Sequence, residues 1–226
     1  MTVFDEDILA DHQKKCMLIC GKDIGFRGKS EHARLKVAQI AEVKFPEQHR
    51  YAGKSWVGIK ELADKSHKLK LNNPIKRKTG DIMRLPILDI NDMSDPGSCL
   101  KRYKDKISPG QVRLYCYQAT KAELHLFAAE GSHNAKMSPK RPIGENKVAE
   151  MIKEAAQRTG MNCTGQGLRR LFLSTLINNP SISVKESLIS GRHGSVSAQI
   201  TYLQRNKISE AGKFDALLGK KWKKGD

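Results

Sequence analysis

TGQGLRRLFLSTL (164–176), followed by SLISGRHGSVSAQITYLQR (187–205), holds the residues on which the fold of this chain turns. In the first segment Leu168, Leu171, Phe172, Thr175 and Leu176 recur at the spacing of one helix face, and Arg169 and Arg170 stand near its start. Pro180 stops that helix. The second segment carries a Gly191-Arg192-His193 turn 24 residues after Arg169, and Tyr202 follows His193 by nine residues. These residue types suit phosphate chemistry. A guanidinium stays protonated and can hold an oxyanion by two parallel hydrogen bonds, and a phenol oxygen can act as a nucleophile.

Outward from this region, Val148, Met151, Ile152, Ala155 and Ala156 give a second apolar helix face, with Gly160 at the position of a C-cap. A Pro/Gly/Ser stretch, GSHNAKMSPKRPIG (131–144), reads as a loop dividing the chain into halves. Residues 111–127 read ambiguously: RLYCYQAT suits a strand, and KAELHLF suits a short helix or strand. A basic helix is expected over 97–107. Further toward the N-terminus, AEVKF (41–45), SWVGIKEL (55–62) and IMRLPI (82–87) alternate like strands. KSHKLKLNNPIKRKTGD lies between the last two as a long basic hairpin. Residues 4–20 form an amphipathic pattern, interrupted by Gly21 and Gly25, and a helix from about Ser30 would carry Leu35, Val37 and Ile40. Short helices are expected near 183–190, 196–206 and 209–218. The sum is an α+β chain, predominantly helical, with one small antiparallel sheet.

The 226 residues suffice for a sizeable core. Lys and Arg number 41 against 24 Asp and Glu, a net charge of +17, which points to a polyanionic partner. The five cysteines form no CxxC pair, so neither a zinc site nor a disulfide framework is expected from their spacing. Cys16 and Cys20 fall on one helix face and read as core. The N-terminal stretch has no long apolar run, which argues against a signal peptide or membrane span and for a reducing, non-secreted location.

The order of motifs resembles the catalytic domain of the tyrosine recombinase (phage integrase) family. Leu168-Arg169 match that family's L-R, and Gly191 with His193 match its turn before the tyrosine. GFRGKSEHARL (25–35) supplies the earlier arginine turn as Gly25, Arg27, Glu31 and Leu35, with the acid one residue later than is usual. MRLPI (83–87) looks like the strand closing the family's lysine hairpin, and DKSHKL (64–69) like the opening strand, making Lys65 the catalytic lysine, with Lys68 the alternative. At the place of the family's histidine, three residues before the second arginine, stands Gln166, which can donate a hydrogen bond but cannot act as a base. GFRGKSEHARL and YAGKSWVGI suggest the Crypton-type mobile-element recombinases.

The resemblance implies a catalytic domain over 1–206 and a C-terminal helix and basic tail over 207–226; most relatives also carry an N-terminal core-binding domain, which is expected to be absent here. It implies strand cleavage on double-stranded DNA through a 3′-phosphotyrosine, with no metal or cofactor, by a homotetramer exchanging segments such as KFDALLGKKWKK (213–224). The location would be nuclear in a eukaryote and cytoplasmic otherwise. Tyr202 would attack, Arg27 and Arg169 would clamp the phosphate, Lys65 would protonate the leaving oxygen, and His193 would orient the reacting groups. Singly, each residue has a structural explanation: a packed helix tyrosine, a solvated arginine pair, an Arg27–Glu31 ion pair, one lysine among many. Their order along the chain carries the resemblance. A non-catalytic DNA-binding descendant of such an enzyme is the alternative, favoured by Gln166. A type IB topoisomerase and an RNA-binding protein rank behind both.

Overall fold

The computed structural model describes residues 3–26, 28–44, 47, 52–59 and 83–183. Six α-helices and two antiparallel sheets lie among them, an α+β arrangement. The central helix is α1 (Leu9–Lys22), whose Cys16, Met17 and Cys20 are fully buried. It packs against α3 (Pro96–Lys104), α5 (Glu145–Arg158) and α6 (Gly165–Ile177). Phe4 is buried ahead of the helix start, beneath the Arg158 guanidinium at 4.7 Å from the ring centroid. Gly21 does not interrupt α1 but lies inside it. A side chain there would bring its Cβ to 2.7 Å from Leu168 Cδ1, so glycine is what lets α6 approach α1 closely.

The helix expected to run from Ser30 through Ile40 is shorter than the apolar pattern suggests. α2 covers Lys29–Arg34, a 3-10 turn covers Val37–Gln39, and Ile40 opens a strand. Tertiary backbone pairing explains the break: the Leu35 carbonyl accepts from Leu114 N at 2.8 Å, and Val37 N donates to the Val112 carbonyl at 3.0 Å. Strands β1 (Ile40–Lys44), β2 (Ser55–Ile59) and β3 (Met83–Pro86) then form an antiparallel sheet in the order β1-β2-β3. Ile40 faces Ile59, and Val57 faces Leu85. Gly97 at the start of α3 sits so close to the end of β3 that a Cβ would meet the Pro86 carbonyl oxygen at 2.2 Å.

A second sheet contradicts the reading of 131–144 as a loop and of the chain as having one sheet. β4 (Cys116–Gln118) pairs antiparallel with β5 (Met137–Pro142). Between them α4 (Lys121–Ala129) resolves the ambiguous KAELHLF in favour of helix. Its start is fixed by a capping box: Thr120 Oγ1 accepts from Glu123 N at 3.3 Å, and Glu123 Oε2 accepts from Thr120 N at 2.8 Å. Ser138 on β5 donates to the other Glu123 oxygen at 2.6 Å. Because α4 buries only Phe127 beneath itself, the cap is a large share of its stability. Thr120→Ala is therefore expected to cost about 1 kcal/mol. The loss should appear as faster amide exchange over α4, while protection of α1 stays unchanged.

The helix faces read from the sequence at 148–156 and 168–176 correspond to α5 and α6, and Gly160 adopts φ +76° just beyond α5. Leu171 departs from its expected role. It is exposed, whereas Leu168, Phe172 and Leu173 on the same helix are buried.

Candidate functional site

Arg27, Lys65, Lys68, His193 and Tyr202 lie outside the described residues, as do the helices expected beyond residue 183 and the basic hairpin. Gln166 and Arg169 lie within them, in the first turns of α6. Thr164 caps that helix, its Oγ1 accepting from Gly167 N at 3.4 Å. Gln166 and Arg170 are exposed, while Arg169 turns inward and is only 7% exposed. The Arg169 Nη1 donates to the carbonyl of Gly25. Thus the arginine expected near the phosphate also ties α6 to a loop 144 residues earlier in the chain.

Gly25 stands two positions before Arg27 in the sequence, and three contacts fix the described residues on either side of it. Gly25 has φ +74°, a backbone region that disfavours side chains, and its Cα faces Phe172 of α6. Phe26 is fully buried, its ring 4.7 Å from the buried His32 imidazole, and its N–H donates to the Cys20 carbonyl at 3.0 Å. Gly28 lies against α6 as well: a Cβ on Gly165 would approach Gly28 Cα to 3.1 Å. Both ends of the Gly25–Gly28 turn therefore rest on the first two turns of α6, the segment bearing Gln166 and Arg169.

On the far side of the turn, α2 is pinned to the start of α5. Ser30 donates to Glu145 at 2.8 Å, Arg34 donates to the same carboxylate at 3.2 Å, and Lys29 donates to Asn146 at 3.0 Å. The Ser30 hydroxyl, helped by Arg34 and Lys29, holds the Glu145 carboxyl below its usual pKa. The result is a basic edge: Lys29 and Arg34 come from α2, and Arg113, which donates to the Arg34 carbonyl, comes from the segment before β4.

A separate apolar cleft of about 620 Å³ runs along the exposed side of α6, lined by Leu85, Pro86, Leu171, Phe172 and Leu176. Lys22, Asp23 and Asp95 also line it. Sequence reading missed a third feature, a buried polar cluster of Glu6, His12, Cys16 and Cys99 between α1 and α3. Only the helical spacing of His12 and Cys16 hinted at it, because Cys99 lies 83 residues further on. No helix among the described residues is long and apolar enough to cross a membrane. No protein-family model, curated protein or solved structure matches this chain.

Proposed function

We propose that the chain is a DNA strand-exchange enzyme of the tyrosine recombinase type, with Tyr202 as nucleophile. The observation that supports this reading most is the seating of the Gly25–Gly28 turn on the start of α6. Two segments 144 residues apart, each singled out for a phosphate-binding arginine, are neighbours in space. The net charge of +17 and the basic edge beside the turn suit a duplex backbone.

In this mechanism the Tyr202 hydroxyl oxygen attacks phosphorus, and the bond from phosphorus to the 5′ oxygen breaks. The strand is held as a 3′-phosphotyrosine. Arg27 and Arg169 neutralise the charge growing on the non-bridging oxygens, each worth about 2.7–4 kcal/mol by analogy with other preorganised donors. Lys65 gives the departing 5′ oxygen its proton, His193 hydrogen-bonds the phosphate, and the phenol proton of Tyr202 passes to water as its oxygen bonds phosphorus. Gln166, exposed at the helix start, donates a hydrogen bond where a histidine could also exchange a proton. Double-stranded DNA is the substrate and a homotetramer the working assembly.

The burial of Arg169 and the presence of Gln166 favour a second reading, a DNA-binding protein that has kept the fold of such an enzyme and lost its chemistry. Nicked duplexes of randomised sequence, in which religation is blocked, separate the two. The enzyme is expected to form a covalent protein–DNA adduct that is lost entirely in Tyr202→Phe. Salt-sensitive binding with no adduct on any sequence would select the second reading.

A further inference from the structure

We propose that His12, Cys16 and Cys99 form a zinc-binding site between α1 and α3. All three side chains are fully buried, and a ring nitrogen and the two sulfurs lie within 4.8 Å of one another. Thiolates and imidazoles are the donors zinc prefers, and a structural site needs a fourth protein ligand beside these three. The Cys16 and Cys99 sulfurs are 3.8 Å apart. Two Zn–S bonds of ~2.3 Å at the tetrahedral angle separate their sulfurs by ~3.8 Å. The sulfurs thus already stand at the edge length of a zinc tetrahedron, and well beyond the ~2.05 Å of a disulfide. Glu6 brings a carboxylate oxygen to 3.4 Å from His12 Nε2 and offers a fourth ligand.

The site is closed to solvent, so the ion enters as α1 docks on α3 during folding. Zinc replacing two thiol protons leaves the charge of this core unchanged, so Lys15, Arg102 and Lys106 around Glu6 do not oppose it through net charge. One residue does compete. Lys106 Nζ stands 3.1 Å from His12 Nδ1, and an ammonium can only donate, so Nδ1 accepts and Nε2 carries the proton given to the Cys99 carbonyl at 3.0 Å. A metal at Nδ1 must displace Lys106, and a metal at Nε2 must move the imidazole proton to Nδ1, against the ammonium. Either way Lys106 weakens the site. The ion is structural and takes no part in strand cleavage.

The test refolds the full chain under reducing, anaerobic conditions with cobalt(II), then adds zinc. The expected result is one cobalt per chain, with a thiolate-to-cobalt charge-transfer band and the visible bands of tetrahedral cobalt, bleached by zinc. Cys16→Ser and Cys99→Ser should each lose the charge-transfer band, and Cys163→Ser should keep it. Lys106→Met should bind cobalt about tenfold more tightly. Absence of the band in the unaltered chain overturns the site, as does a band that survives both serine changes. A chain two hydrogens lighter, with Cys16 linked to Cys99 under these conditions, would show a disulfide pair in its place. If the serine variants do not refold, Cys163→Ser and Lys106→Met decide: loss of the band in the first overturns the site, tighter cobalt binding in the second supports it, and unchanged affinity there overturns the competition from Lys106.

Discussion

Gly25→Ala is expected to destabilise the protein by about 2–5 kcal/mol and to separate α6 from the segment around Gly25. Two costs add at this position. The backbone sits at φ +74°, where a Cβ costs about 1–2 kcal/mol. The new methyl would also meet the Phe172 ring, 2.2 Å from Cδ1 and 2.4 Å from Cε1. Phe172 is itself buried, so its ring has little room to turn away, and overpacking of this kind costs about 1–3 kcal/mol or more. Urea unfolding should show the loss as a lower midpoint at an unchanged slope. A matched change at Gly28 is the control. It also has positive φ, but nothing lies within 4 Å of a Cβ there, so Gly28→Ala should carry the backbone cost alone. If the two variants are equally destabilised, the contact between the turn and Phe172 is not what holds them together.

This contact also bears on chemistry. The Arg169 bond to the Gly25 carbonyl joins the same two segments, so a shift of α6 away from the new methyl would strain it. Under the proposed mechanism, Gly25→Ala would lower adduct formation far more than it lowers DNA affinity. The distance between two clamp arginines matters to a transition state, whereas the basic edge supplies most of the binding.

Much of the framework was legible because its signals are local. The apolar periods of α5 and α6 and the alternation in β1–β3 need only neighbouring residues to read. β5 was not legible for a physical reason. MSPKRP contains two prolines and two cations, and only Met137 and Ser138 are buried. It is a strand because β4 pairs with it, and proline is tolerated where a strand has a free edge. The end of α2 at Arg34 was equally hidden, since the bonds that break the helix come from residues 112–114. At the candidate site the sequence places Arg169 or Arg170 at the opening of a helix, whereas α6 opens at Gly165 and Arg169 is its fifth residue. The sequence could not show that the guanidinium turns inward to Gly25, because that contact spans 144 positions. Of the thiol–imidazole cluster only the His12–Cys16 spacing is local, and Cys99 joins it from 83 positions away.

Glu6→Gln is expected to cost about 3 kcal/mol at neutral pH, and the cost should shrink as the solution is acidified. Glu6 is 5% exposed and is the anion on which several cations converge. Arg102 grips it with two hydrogen bonds of 2.8 and 3.1 Å, and Lys15 adds one of 2.7 Å. Burial alone would raise its pKa; Arg102 and Lys15, with His12 nearby, outweigh that and bring it from 4.5 down to about 2. Removing the charge leaves Arg102 and Lys15 half-buried with no anion, and breaking a buried pair on one side costs about 3–5 kcal/mol. The lower figure applies because both cations keep some contact with water. A carboxyl whose pKa is depressed in the folded state stabilises the fold above its unfolded pKa, and that contribution fades as pH falls through the folded value. For Glu6 the window runs from about 4.5 down to about 2. The stability gap between the unaltered chain and Glu6→Gln should therefore be constant above pH 5 and narrow steadily below it. Urea midpoints for both proteins across that range measure the gap directly. A gap that stays constant down to the acid limit would mean that Glu6 acts through the shape of its hydrogen bonds, which glutamine partly copies, and not through its charge.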